Sequence, residues 1–175
     1  MLGSATGMGF AMGKKAKALG MHVILSDVRK EALSKAVQKL RLGVGNGRVE
    51  GVVADVTSEE SLKKLLKSAT NAFPGKTIQF LGANAGVLYT GSTILSGSES
   101  EWQTTYNVNV IGAANTLRAI VPHMAKTTSH DKPCIIEITA SSAGVIFGGA
   151  CPYGTSKLAA LGLAEELYKE LDAHP

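Results

Sequence analysis

The chain has 175 residues, 45% of them hydrophobic and 18% charged, which is enough apolar material for one domain with a sizeable core. Its net charge of +4 does not indicate a nucleic-acid binder, because Lys14, Lys15, Lys17, Lys35, Lys39, Lys63, Lys64 and Lys67 fall on the polar sides of helical patterns and read as solvated faces. No signal-peptide pattern and no membrane-length apolar run is present, so Cys134 and Cys151 are expected as reduced thiols in the cytoplasm; His22, His123, His130 and His174 lack the spacing of metal ligands.

The first element is a glycine turn, Gly3-Ser4-Ala5-Thr6-Gly7-Met8-Gly9, opening a helix that Gly20 closes. Such a turn lets backbone N–H groups and the helix dipole approach a phosphate with no Cβ in the way. A strand, Met21 to Leu25, follows and ends in Ser26-Asp27, where a carboxylate can either meet the hydroxyls of a ribose or cap the next helix. Leu33, Ala36, Val37 and Leu40 have helical spacing, Gly43 to Gly47 is a turn, and Val49 to Val53 is a second strand running into Ala54-Asp55-Val56. The next helix has a capping box predicted at Thr57 and Glu60 and a stripe of Leu62, Leu65, Leu66, Ala69 and Phe73.

A third strand, Ile78 to Leu81, leads into Ala83-Asn84-Ala85-Gly86. One long helix is predicted from about Glu99 to Met124, with Trp102, Tyr106, Ala113, Leu117 and Ile120 on one side and Asn109 on that same apolar side. A buried amide must have its hydrogen bonds made, so Asn109 is either satisfied inside the core or holds a water. Lys126 to Lys132 is a surface loop, Ile135 to Thr139 reads as a buried strand, and Ala140 to Gly144 begins a small-residue loop carrying Ser141 and Ser142. Val145, Ile146 and Phe147 either line a pocket or merely pack that loop. Cys151 is either a modifiable thiol near the site or small-residue packing.

The last helix, about Pro152 to Leu171, carries Tyr153 and Lys157 four apart and hence on one face. A free tyrosine titrates near about 10, and an adjacent cation favours the phenolate. Tyr153 is the candidate acid or base, and Lys157 the charge that tunes it.

The Gly-x-x-x-Gly-x-Gly turn, Asn84-Ala85-Gly86, and a serine ahead of Tyr-x-x-x-Lys resemble the short-chain dehydrogenase/reductase family in its classical form, from Gly3 to about Leu171. The resemblance implies a three-layer α/β/α Rossmann-like fold with a mostly parallel sheet, and reversible alcohol–ketone oxidoreduction with a nicotinamide cofactor. Carried over residue by residue, it implies catalytic Asn109, Ser141, Tyr153 and Lys157. Ser142 and Thr139 remain rivals to Ser141, because the usual serine-to-tyrosine interval is often one residue longer. The cofactor would lie against Gly3, Ser4, Thr6, Gly7, Met8, Gly9, Asp27, Asp55, Val56, Asn84, Ala85, Gly86, Tyr153 and Lys157. Asp27 favours NAD over NADP by repelling a 2′-phosphate, and Arg29 is the basic residue nearest to it. A small-molecule alcohol or carbonyl substrate and a homodimer or homotetramer are implied; nucleic-acid and membrane partners are not. Leu2 stands where the family usually has threonine, and Ala83 where it has the first of two asparagines. Only Met1 and Leu2 precede Gly3, so the first, central strand and the strands expected after Pro175 are predicted to be missing, and the polypeptide as written is not expected to turn over substrate. The other reading of the same motifs is a dinucleotide-binding regulatory or scaffold protein without turnover.

Overall fold

In the computed structural model, residues 1–129, 133–146 and 150–172 are described; Phe147, His130, Lys132, His174 and Pro175 lie outside them. The elements alternate strand and helix: α1 (Gly7–Ala18), β1 (Val23–Asp27), α2 (Lys30–Arg41), β2 (Val49–Val53), α3 (Glu59–Ala72), β3 (Phe80–Ala83), α4 (Glu99–Tyr106), α5 (Gly112–Ala125), β4 (Ile135–Ile138) and α6 (Cys151–Asp172). β1 pairs with β2 in parallel from Val23↔Val49 to Asp27↔Val53, and β3 pairs with β4 in parallel from Phe80↔Ile135 to Ala83↔Ile138. Leu2 bridges Ser26 on one side and Ala83 on the other, both in parallel, giving the order β2, β1, Leu2, β3, β4.

Helices cover both faces, as the parallel ladder requires. On one face Leu33, Ala36, Val37 and Leu40 of α2 pack with Val23, Leu25 and Val49, and Phe10 and Ala16 of α1 join them. On the other, Leu62 and Leu65 of α3 and Leu117, Ile120, Val121 and Met124 of α5 enclose Leu2, Ala54, Val56 and Leu81. Each such leucine fully withdrawn from water contributes about 1.5–3 kcal/mol. The Rossmann-like α/β class expected from the sequence is the one observed.

The first strand is not wholly absent. The Met1 amino group donates to the Ile24 carbonyl at 3.0 Å, Leu2 N–H to Gly82 at 3.0 Å, Ser26 N–H to Met1 at 2.9 Å and Ser4 N–H to Ser26 at 3.0 Å. Met1 to Ser4 therefore supply the carboxyl end of the central strand and join the two halves of the sheet. On the amino side of Met1 a cavity of about 320 Å³ opens between Val23-Ile24 and Ile78-Phe80, floored by Leu65, Phe73 and Ile120.

β3 departs from expectation. It runs over Phe80–Ala83 rather than Ile78 to Leu81, because only there does it find ladder partners on both edges, β4 and Leu2. β4, expected as a buried strand to Thr139, ends at Ile138 with Ile135 60% exposed; it pairs with β3 alone among the described residues. The α3 cap is Ser58, which accepts the Ser61 N–H, whereas Thr57 donates to Asp55 instead. Lys17 is no solvated residue: it is buried, with Nζ donating to the carbonyls of Gly43 and Arg41 just beyond α2, a favourable place for a cation. The long helix breaks into α4 and α5 at a π-helical turn, Asn107–Ile111, centred on Asn109.

Candidate active site

A cleft of about 540 Å³ lies at the carboxyl ends of the strands, the place where open α/β sheets hold their ligands. The glycine turn forms one wall. Gly3 has φ +61 and a Cβ there would stand 2.6 Å from the Ala85 Cα; Gly7 has φ +59 and faces open space. Both conformations exclude an ordinary side chain. A Cβ on Gly9 would meet the Gly3 carbonyl at 2.6 Å and Asn84 Nδ2 at 2.7 Å, so α1 can pack this closely on the turn only with glycine. Thr6, at the N-cap of α1, makes no side-chain capping bond, which leaves the first turn of the helix as a ready acceptor site for an anion.

At one end of the cleft, Asp27 is only 5% exposed and both its oxygens are engaged. Oδ1 accepts the Arg29 N–H and Nε at 3.0 Å each, and Oδ2 accepts the Ala5 N–H and Arg29 Nη2 at 3.1 Å each. Burial pushes the carboxyl upward, but the Arg29 hydrogen bonds, the Ala5 N–H and the Arg29 charge outweigh it and hold the group below the usual carboxylate range. Asp27 is not the cap of α2, a position that Arg29 takes. Arg29 Nη2 also reaches Thr6 Oγ1 at 3.2 Å, so a basic residue stands over the turn although none lies within it in sequence.

At the opposite end, Lys157 is buried and Nζ donates to the Thr139 carbonyl at 2.6 Å, lying 5.6 Å from the centroid of the Tyr153 ring. Burial holds the Lys157 ammonium below the usual lysine range, and the negative charge of Glu137 opposes that shift. Asn109 Oδ1 accepts the Val87 N–H at 2.8 Å while Nδ2 donates to the Val87 carbonyl at 3.0 Å and to Ser156 Oγ at 2.9 Å. A Cβ on Gly86 would lie 3.3 Å from Asn109 Oδ1 and 3.6 Å from Lys157 Nζ, so these two side chains flank the same glycine.

The family model described as "short chain dehydrogenase" matches residues 1–175. The chain belongs to the short-chain dehydrogenase family. Among its relatives, this short-chain dehydrogenase is 32% identical over 170 residues to "Dehydrogenase/reductase SDR family member 4" of Rattus norvegicus, covering 96% of the chain and 58% of the relative. It is 29% identical over 176 residues to "1-deoxy-11-beta-hydroxypentalenate dehydrogenase" of Streptomyces avermitilis, covering 99% of the chain and 62% of the relative. A short-chain dehydrogenase/reductase from Burkholderia phymatum, solved with NAD, superposes with a TM-score of 0.89 at 32% identity over 100% of this chain and 60% of that one. NAD⁺-bound xylitol dehydrogenase gives 0.88 at 29% identity over 98% and 64%. The chain thus spans about three-fifths of the length of these relatives.

Within this short-chain dehydrogenase the cleft gathers Gly3, Thr6, Gly7, Met8, Asp27, Asp55, Val56, Asn84, Ala85, Gly86, Tyr153 and Lys157 from segments spread along the whole sequence. Ser4 and Gly9 are not on its wall: Ser4 is fully buried and accepts the Ser26 N–H at 2.8 Å, and Gly9 packs behind the turn. Ser141 is also not among the lining residues; its Oγ accepts the Ala143 N–H at 3.2 Å and caps a short 3₁₀ turn, Ser142–Gly144. Of Ser141, Ser142 and Thr139, Thr139 alone lines the cleft. Val145 and Ile146 are 66% and 76% exposed. Sequence reasoning gave no weight to Glu137 or Ser156, though a carboxylate inside the run Ile135-Ile136-Glu137-Ile138 was a visible signal.

Proposed function

We propose that this protein is an NAD(P)-dependent oxidoreductase that interconverts a small alcohol and its ketone or aldehyde, with residues 1–175 acting as one nucleotide-binding domain. The observation that carries the reading is the Lys157 ammonium beneath the Tyr153 ring in the same cleft as the uncapped glycine turn.

The residues fit a dinucleotide. The first turn of α1 meets the pyrophosphate, Asp27 and Arg29 stand at the adenosine ribose, Asp55 and Val56 border the adenine, and Asn84, Ala85 and Gly86 floor the middle of the cleft. Nicotinamide, when bound, supplies the hydride chemistry. With the cofactor bound, Tyr153 would exchange the substrate hydroxyl proton, Lys157 would hold the nicotinamide ribose with its charge beneath the Tyr153 ring, and Ser141 or Thr139 would hold the substrate oxygen. The side-chain amide of Asn109 is committed to Val87 and Ser156, so its part in proton relay is to brace the segment beside Lys157.

NAD is the favoured cofactor, since Asp27 is held ionised and Arg29 can greet a 2′-phosphate only by leaving that bidentate pair. Higher kcat/KM with NADP would contradict this. Exposed Ile111, Leu158, Leu161 and Tyr168 support assembly into a homodimer or homotetramer through the outer faces of the π-helical turn and α6, which light scattering tests. The cytoplasm is the proposed compartment; among the described residues no helix is long and apolar enough to cross a membrane.

The second reading, a dinucleotide-binding protein without turnover, is favoured by one observation, the placement of Ser141 off the cleft wall. NADH fluorescence titration together with a panel of secondary alcohols separates the two. Binding with NADH formation supports the first reading, and binding alone supports the second.

A further inference from the structure

β4 alternates, with Ile136 and Ile138 packed toward α3 and α5 and Glu137 turned to the other face beside Met1 and Gly82. Glu137 Oε1 takes a hydrogen bond from Thr139 Oγ1 at 2.7 Å, while Oε2 is buried with no partner among the described residues. A buried carboxylate oxygen left without a donor is costly, so a glutamate here needs a compensating charge. The groups whose charge it meets are the Lys157 ammonium from α6 and the amino group of Met1, which burial lowers to about 6 against the opposing pull of Glu137.

Thr139 connects the two. Its hydroxyl has a single hydrogen and two acceptors in reach, Glu137 Oε1 at 2.7 Å and Asn84 Oδ1 at 3.1 Å; the shorter, charged acceptor wins. Its carbonyl receives Lys157 Nζ at 2.6 Å. Asn84 in turn donates to the Gly3 carbonyl at 2.9 Å, tying the same residue to the glycine turn. We propose that Glu137 is a positioning residue: it fixes Thr139 at the end of β4 and supplies the counter-charge that keeps the buried Lys157 in its ammonium form beneath Tyr153. This rests on the reading of Lys157 as the cation of the site.

The test is a titration of Lys157 in the whole chain labelled with ¹³C-lysine, following the Cε signal that disappears in Lys157→Met, from neutral pH upward. Glu137→Gln preserves shape and the acceptor for Thr139 but removes the charge. Its expected result is a lower midpoint for Lys157 than in the unaltered protein, with Glu137→Asp returning toward the original, and a several-fold loss of NADH affinity at pH values between the two midpoints. A merely structural glutamate would lower thermal stability and leave the midpoint where it was, and that outcome overturns the proposal. Should Glu137→Gln not fold, Glu137→Asn is compared with Glu137→Asp in the same way: a lower midpoint for Asn supports the proposal and equal midpoints overturn it. NADH titration of Lys157→Met keeps the two readings apart. Unchanged affinity there removes Lys157 from the proposed cofactor site, while the coupling of Glu137 to Lys157 is still decided by the midpoints.

Discussion

Asn109→Ala is expected to be a strongly destabilising change. The side chain is 2% exposed and makes three hydrogen bonds, with Val87 N–H, the Val87 carbonyl and Ser156 Oγ, and Ser156 Oγ passes on to the Tyr153 carbonyl at 2.7 Å. A neutral intramolecular bond contributes about 0.5–1.5 kcal/mol, and the partners left behind are withdrawn from water. Three such bonds give a loss of about 3 kcal/mol, or about 6–12 °C in Tm for a chain of this size. Urea and thermal unfolding followed by circular dichroism read both quantities. The π-helical turn that carries Asn109 packs on α6, so NADH affinity should fall with stability. A loss below about 0.5 kcal/mol, the ordinary range for a surface substitution, would refute the claim that these bonds hold the turn against Val87 and α6.

Two further outcomes follow from the glycine turn and from Asp27. Gly9→Ala places a Cβ 2.6 Å from the Gly3 carbonyl, and the overpacking should cost about 1–3 kcal/mol, read as a lower Tm and weaker NADH binding; unaltered values for both would show that the turn yields freely. Asp27 has a folded-state pKa below its ordinary 3.8, so its stabilising contribution is fully present above that value and is lost as pH falls through the lower, folded one. The stability gap between the unaltered protein and Asp27→Asn should therefore be widest near neutral pH and close in acid, and a gap that is constant with pH in urea titrations would contradict the Arg29 pairing.

The periodic elements were legible in the sequence because local rules decide them. The spacing of Leu33, Ala36, Val37 and Leu40 gave the buried face of α2, and the glycines gave the turn with its two positive φ values. What was not legible depended on neighbours. β3 shifted by two residues because its pairing is set by Leu2 and β4 together, and Met1 to Ser4 proved able to bridge a sheet that their number seemed too small to enter. The π-helical turn at Asn109 leaves no mark in a run of apolar spacing. Arg29 was read as a neighbour in sequence, but the bend after β1 folds it back onto Asp27 and Thr6, which only the backbone path reveals. Likewise Lys157 and Tyr153 were paired from their spacing of four, whereas the contacts that tie that lysine to Thr139, and Thr139 to Glu137, run between elements and cannot be read from spacing, although the carboxylate in β4 was itself visible.

The central claim is that Tyr153, over Lys157, is the proton-transfer group of a dinucleotide site. The direct measurement compares the unaltered protein with Tyr153→Phe in two readouts, NADH titration and NAD-dependent oxidation of a panel of secondary alcohols. The account predicts that both proteins bind NADH with similar affinity and that whatever NADH the unaltered protein forms from an alcohol is lost without the phenol. Turnover retained in Tyr153→Phe, or no NADH binding by either protein, would contradict it.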